Sequence, residues 1–198
     1  MGFFRNLFSA RRMVQRAMEK QEERLRALSA LPDAELAGQG DAALCEVLSF
    51  RNDRAADAKF GEPHARHVSL ADCYAAFTGA RRSWAMIDLF AMEMEADGLC
   101  GALTGELRTY ARELPGLLQT VGAPEHAALL EGFFRDNGID PADMDSFLVG
   151  HDLTNDYAAQ EARFPYRAFN RTFEALPPLT GALAAYGRAH LADFQNGW

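Results

Sequence analysis

Glu62, His64 and His67 are the only local group in this sequence whose types and spacing suit a metal. Two imidazoles three residues apart share a face if the segment is helical. Pro63 and the polar neighbours argue for a loop instead, and a first-row metal needs three or four ligands. No metal site is expected. Glu93, Glu95 and Asp97 form a carboxylate group in which residues 93 and 97 share a helical face. No Glu-x-x-His motif accompanies them, as a carboxylate-bridged centre would require, so a solvated helix end is expected. His126, His151 and His190 stand alone and are expected to be solvent-exposed or to hold structural hydrogen bonds. Cys45, Cys73 and Cys100 are odd in number and far apart. They read as reduced, mostly buried thiols of a cytoplasmic protein. There is no phosphate-binding loop, dinucleotide fingerprint or nucleophile elbow. The sequence therefore offers no catalytic residue, no cofactor site and no sign of an enzyme.

The acidic residues carry more information. Asp136, Asp140, Asp143, Asp145, Asp152, Asp156 and Glu161 follow one another with no Lys or Arg before Arg163. Nothing within the run cancels its field. Duplex DNA carries roughly one negative charge per 1.7 Å of axis, and carboxylates three or four residues apart on helices approach that density. These seven residues are the candidate partner-binding surface. The chain's net charge of −8 is uneven: the first 28 residues hold seven basic side chains against three acids, a net +4, which leaves −12 for the rest. Such a body repels naked nucleic acid and attracts basic proteins.

The elements that position these groups centre on Trp84 to Asn137. Trp84, Ile87, Phe90, Ala91 and Met94 recur at helical spacing, and Gly98 stops that helix. A second pattern runs through Leu103, Leu107, Tyr110, Ala111 and Leu114. Pro115 and Gly116 interrupt it and start a short piece with Leu117, Leu118 and Val121. Gly122 ends this piece, Pro124 opens the next, and Ala127, Leu130, Phe133 and Phe134 form its buried face before Asn137-Gly138.

Upstream, Phe4, Leu7, Val14, Met18, Gln21, Leu25 and Leu28 make one long amphipathic helix with a basic opposite face. Its stripe is expected to dock on the body or on a second copy, giving a homodimer; a basic helix can also lie on a lipid surface. Asp33 is expected to cap a short turn and Asp41 to cap a helix over Ala42 to Phe50. Arg51 to Arg66 is expected to be a surface loop. Ser69, with Asp72 three residues on, caps the next helix, and Gly79 marks a break. Downstream, Asp140-Pro141 is expected to start a helix with Met144, Phe147 and Leu148 inward. Residues 155–162 are expected to add a helical turn. Phe164-Pro165-Tyr166 restarts the core, Pro177-Pro178 separates the last two helices, and Leu179, Leu183, Tyr186, His190 and Phe194 align.

No strand-like alternation appears. The fold class is therefore all-α: a single-domain bundle of about eight helices over residues 31–198, with a basic amphipathic extension over residues 1–30. Trp84, Phe90, Leu107, Leu118, Leu130, Phe133, Phe173, Leu183 and Tyr186 are its expected core. There is no apolar run of about 18 residues, so no membrane span is expected, and the N-terminus lacks the pattern of a signal peptide.

The same elements carry a resemblance. Glu93 and Glu95 end an acidic helix, Asp97-Gly98-Leu99-Cys100 forms a turn, and Val121-Gly122-Ala123 steps into another helix. Ala168 to Phe194 supplies two closing helices. This order resembles a bacterial domain of unknown function best known from an acidic DNA-mimic protein, over roughly residues 69–194. That family has an Asn-Gly-Gly-Phe turn and an Ile-Gly-Ala step; here Asp97, Leu99 and Cys100 replace three of the four turn residues. The resemblance implies an acidic protein that occupies the DNA-binding face of a regulator. Two other classes stay open. One is an immunity-type module binding by shape. The other is an enzyme, which a pocket of convergent polar groups with strongly shifted pKa values would favour.

Overall fold

The computed structural model describes residues 2–63, 65–148 and 153–195, and the side chains of these except 2–14, 145–146 and 153–157. It is all-helical, with no strand among the described residues. The order is α1 (Gly2–Ser29), α2 (Asp33–Ala37), α3 (Asp41–Phe60), α4 (Leu70–Ala75), α5 (Gly79–Ala96) and α6 (Gly98–Thr104), then a 3-10 turn (Glu106–Tyr110). There follow α7 (Leu114–Thr120), α8 (Pro124–Asp136), α9 (Met144–Phe147), α10 (Leu153–Arg163), α11 (Tyr166–Glu174), α12 (Leu179–Ala189) and a closing 3-10 turn (Leu191–Phe194). Among the described residues no helix is long and apolar enough to cross a membrane.

Helix α5 is the centre of the packing. Trp84, Ile87 and Phe90 are completely buried on it, and α3, α4, α6, α7 and α12 all pack against it. Burying side chains of this size contributes on the order of 1.5–3 kcal/mol each. Trp84 is held most fully: its indole N–H donates to the Leu183 carbonyl at 2.9 Å, and its ring meets Phe194 edge-on at 5.7 Å. Helix α12 comes this close because residue 187 has no side chain. A Cβ on Gly187 would lie 2.5 Å from Leu48 Cδ1 and 3.4 Å from Trp84 Nε1. A second cluster of Phe133, Phe147, Phe164, Tyr166 and Phe169 joins α8 and α9 to α11 through ring contacts of 5.1–6.5 Å.

The helix breaks at Ser69, Gly79, Gly98, Pro115 and Pro124 lie where the sequence puts them. Ser69 Oγ accepts from the Asp72 amide at 3.0 Å and begins α4. Gly98 has φ +66, a left-handed conformation, and its Cα faces Asn170 of α11. Asn170 Oδ1 accepts from the Leu99 amide at 3.1 Å, closing the start of α6. A Cβ at residue 98 would fall 2.2 Å from Asn170 Nδ2. Gly98→Ala is therefore expected to cost about 1–3 kcal/mol through backbone strain, and more through the displaced amide. A urea melt would measure it; a loss below about half a kcal/mol would mean that Asn170 does not clasp the turn.

Several expectations change. Arg51 to Phe60 is not a loop but the second half of α3. Its polar residues are used in tertiary contacts: Asn52 is fully buried and accepts from Arg81 Nε at 2.9 Å, while Arg51 Nη2 donates to the Ser29 carbonyl at 2.7 Å. Gly40, not Asp41, caps α3; Asp41 instead pairs with Arg188 at 2.8 Å. Pro32 holds the cap position before α2, and Asp33 is its first helical residue. The stretch from Leu103 to Leu114 is not one helix, because the chain leaves the α conformation at Gly105 and Glu106 turns back to α4. Asp140-Pro141 makes a turn, with the Asp140 carboxylate accepting from the Ala142 amide at 2.9 Å, and the helix starts only at Met144. Phe173 and Tyr186 are half-buried, and α12 ends at Ala189, so Phe194 reaches the core from the closing 3-10 turn. Among the residues whose side chains are described, α1 docks through its last turns. Leu25 and Leu28 pack on the core and Arg24 pairs with Glu46 at 2.7 Å, but Met18 is 67% exposed.

Candidate functional site

The structure disperses most of the residues that the sequence singles out. Glu62 and His67 are exposed, and His64 lies outside the described residues. Among the described residues no group of three His, Cys, Asp or Glu side chains could hold a metal ion. His126 is buried rather than exposed, edge-on to Phe173 at 4.9 Å, and burial lowers its pKa and favours the neutral ring. His190 is half-exposed, 3.7 Å from Asp193. His151 lies outside the described residues. All three cysteines are buried and none forms a disulfide. In the turn, Gly98, Leu99 and Cys100 are buried and only Asp97 is exposed, so this motif serves packing.

The acidic run is only partly described. Asp136, Asp140 and Asp143 are exposed and Glu161 is half-buried; Asp152 and the side chains of Asp145 and Asp156 lie outside the described residues. Cations border the run, from its own edges and from the first 3-10 turn. Arg135 meets Asp136 at 2.8 Å, Arg167 lies 3.8 Å from Glu161, and Arg108 shares a small cavity with Asp143. Along the sequence the run is free of bases; in space it is flanked by them.

A different acidic site appears along α3. Glu46, Ser49, Asp53 and Asp57 follow helical spacing and so share one face. Two cavities of about 380 and 410 Å³ open along this face and share Asp53. The first brings Asp88 from α5 beside Glu46, Ser49 and Cys45. The second adds Asp57, Arg66 and Glu106. Five carboxyls line the pair of cavities, and Arg66 is the single cation among their lining residues. The sequence hides this face because half of α3 lacks an apolar stripe.

Each acid is tied to a neighbour. The Ser49 hydroxyl donates to Asp88 Oδ2. Tyr74 donates to Asp53 at 2.6 Å, and Arg66 to Asp57 at 3.0 Å. Glu106 Oε2 accepts from the Leu70 and Ala71 amides at 2.9 and 3.2 Å, adding a second cap to α4. Burial pushes the Asp88 carboxyl up to about 7; the Ser49 bond opposes this and the Asp53 charge adds to it. Asp53 is raised by the same enclosure, with Tyr74 pulling it back and Asp57 raising it further. Cys45 is pushed up to about 12 by burial, then by Asp88 and Asp41, so its thiol stays protonated and unreactive. Just beyond the groove Glu93 is raised by burial and by Glu106 and Asp97.

The groove also has apolar margins. Met92 is 54% and Val68 41% exposed, and they line the first and second cavity respectively. They are two of the three large hydrophobic side chains that stand exposed among the described residues. Carboxyls with a low-dielectric wall and isolated apolar anchors suit a cationic, partly apolar ligand. A carboxyl that titrates near neutrality can also exchange a proton with whatever enters. No protein-family model, curated protein or solved structure matches this chain.

Proposed function

We propose that this protein is an acidic protein-binding module that receives a basic segment of its partner in the groove along α3. One observation carries the reading: five carboxyls line that groove with Arg66 among them and Arg24 paired to Glu46 at its edge, and two of the chain's exposed apolar side chains stand at its margins. Charge of one sign in a concave site speeds encounter, and the apolar anchors hold what has arrived. DNA mimicry is the more specific form of this proposal. In it the partner's basic segment is a DNA-binding surface, and the run from Asp136 to Glu161 adds further negative charge. The resemblance and the net charge of −8 support that form.

Binding to a partner recovered from cell extract is expected to weaken steeply with salt, because exposed charges are screened over about 8–10 Å. Glu46→Gln with Asp53→Asn is expected to slow association, and Met92→Ala to speed dissociation. Kinetic binding measurements at two salt concentrations, with and without the partner's DNA, separate the possibilities. Competition with DNA supports mimicry. Neutralising Asp140, Asp143 and Asp145 tests the other face: if that triple change weakens binding and the groove changes do not, the run is the docking surface. Binding indifferent to salt and to both sets of substitutions would sink acidic capture and leave docking by shape.

A second reading has its own observation. Ser49 and Asp88 pair at the wall of a cavity, with Asp88 pushed up to about 7, which suits general acid–base work. It requires a turnover whose rate inflects near that pH and disappears in Asp88→Asn.

A further inference from the structure

The same helix carries a cavity of opposite character on a neighbouring flank. Arg51 and Arg54 of α3 and Arg81 from the first turn of α5 converge on a space of about 450 Å³. Leu31, Phe50 and Phe194 supply its apolar walls. Three guanidiniums in one cavity are not an average of this surface, since the chain as a whole carries −8.

The three are held in different ways. Arg51 Nη2 donates to the Ser29 carbonyl at 2.7 Å, but Nη1 is buried with no hydrogen-bond partner. A buried charged donor left unsatisfied costs more than the roughly 1–3 kcal/mol of a neutral one, so a side-chain shift that brings this nitrogen to an acceptor in the cavity is favourable. Arg81 is almost fully buried and fixed at Nε by Asn52 Oδ1 and at Nη2 by the Arg51 carbonyl, both at 2.9 Å, and it lies over the Phe77 ring. Arg54 is exposed and makes no ion pair among the described residues. The positive charges crowd one another: Arg81 is lowered by burial and then by Arg51. Arg51 is lowered by burial, with Asp33 offsetting it. Asp33 is not a full counterion, since its Oδ1 is buried without a hydrogen-bond partner and it forms no ion pair with Arg51. Arg51, Arg54 and Arg81 are the charged side chains among the described lining residues.

We propose that this cavity is a binding site for a small molecule with a dianionic oxyanion head, a phosphomonoester being the closest fit. Guanidinium groups form charge-assisted hydrogen bonds with the oxygens of such a group; Arg54 is exposed to supply them, and Arg51 and Arg81 are held beside it by the chain. The volume falls within the range of small-ligand sites and exceeds what a phosphate fills. The apolar walls then take a compact apolar remainder. This site is independent of the acidic groove and stands or falls without it.

The test uses the full chain with inorganic phosphate and with phenyl phosphate. Ionic strength is held constant by exchange against chloride. The readouts are calorimetric titration and the thermal midpoint, which rises with any ligand that binds only the folded state. Both probes are expected to bind saturably, with phenyl phosphate about tenfold tighter for its buried ring. Arg54→Gln removes no contact that holds the fold and is expected to weaken both by about tenfold, the loss of one charge-assisted contact. Arg171→Gln makes the same change in net charge at an exposed position away from the cavity and is expected to change nothing. A response no larger than that of chloride overturns the site, and so does equal weakening by Arg54→Gln and Arg171→Gln. Phenyl phosphate binding no tighter than phosphate removes the apolar remainder from the assignment.

Discussion

Trp84→Ala is expected to cost the fold about 3–5 kcal/mol, the upper range for deleting a buried aromatic. The ring is completely buried at the meeting of α5, α12 and the closing 3-10 turn. Its removal leaves a cavity that Leu48 and Phe194 cannot fill without moving, and it removes the indole bond to the Leu183 carbonyl, at 2.9 Å. For a chain of this size such a loss is a large share of a total stability near 5–15 kcal/mol. Trp84→Phe keeps most of the volume and loses the N–H, so its expected cost is smaller, about 1–2 kcal/mol. Urea melts of the two variants give the comparison. Equal costs would mean that the hydrogen bond, not the packing, anchors α12. A cost below about 1 kcal/mol for the alanine would mean that α12 does not rest on this ring.

Asp88→Asn is expected to act in the opposite direction, increasingly as pH rises from about 4 to about 7. The Asp88 carboxyl rises from its ordinary 3.8 to about 7 in the folded chain. Between those values the folded protein holds a proton that the unfolded chain releases, so this group's contribution to stability is complete below about pH 4. It is lost as pH rises through about 7. Above that, an enclosed carboxylate opposes folding. Every tenfold difference in proton affinity between the folded and unfolded chain corresponds to about 1.4 kcal/mol, which places the effect at a few kcal/mol. The asparagine keeps an acceptor for the Ser49 hydroxyl and carries no charge. The variant is therefore expected to melt higher than the parent at about pH 8, higher by a smaller margin at about pH 5, and no higher below about pH 4. Denaturant midpoints across that range, taken as the difference between the two proteins, isolate this group from the other acids. A difference that stays constant with pH would show that Asp88 titrates like an ordinary surface acid.

What can be read from the sequence is what local chemistry dictates. The stripe of Trp84, Ile87 and Phe90 identifies the central helix, because a buried helix must repeat its apolar residues every three or four positions. Ser69, Pro124 and Gly98 mark their boundaries through capping, a missing amide hydrogen and a left-handed backbone. The second half of α3 reads as a loop for a physical reason. Arg51, Asn52 and Asp53 break the apolar period, and what stabilises them is Ser29, Arg81 and Tyr74, residues 21 to 29 positions away. The acidic groove is hidden with it. Its carboxyls come from α3, α5 and the turn at Glu106, and only the packing of those elements brings them to one face. The acidic run, conversely, is legible as composition, yet Arg108, Arg135 and Arg167 flank it in space.

The docking of α12 on α3 has a consequence for the birth of the molecule. Cys45 meets the Thr180 carbonyl across 135 positions, and Arg188 donates to the carbonyls of Ala37 and Gln39 across 151 and 149. So much non-local closure is unusual for helices and slows the search for the native state relative to a bundle of sequential hairpins. During synthesis at about 5–20 residues per second, α3 emerges roughly ten seconds before the helix that covers it. For that interval Leu44, Val47 and Leu48, all fully buried in the finished protein, stand open to whatever else is in reach. Slowing translation between α3 and α12 is therefore expected to lower the yield of folded protein, which expression with rare codons placed in that interval would measure.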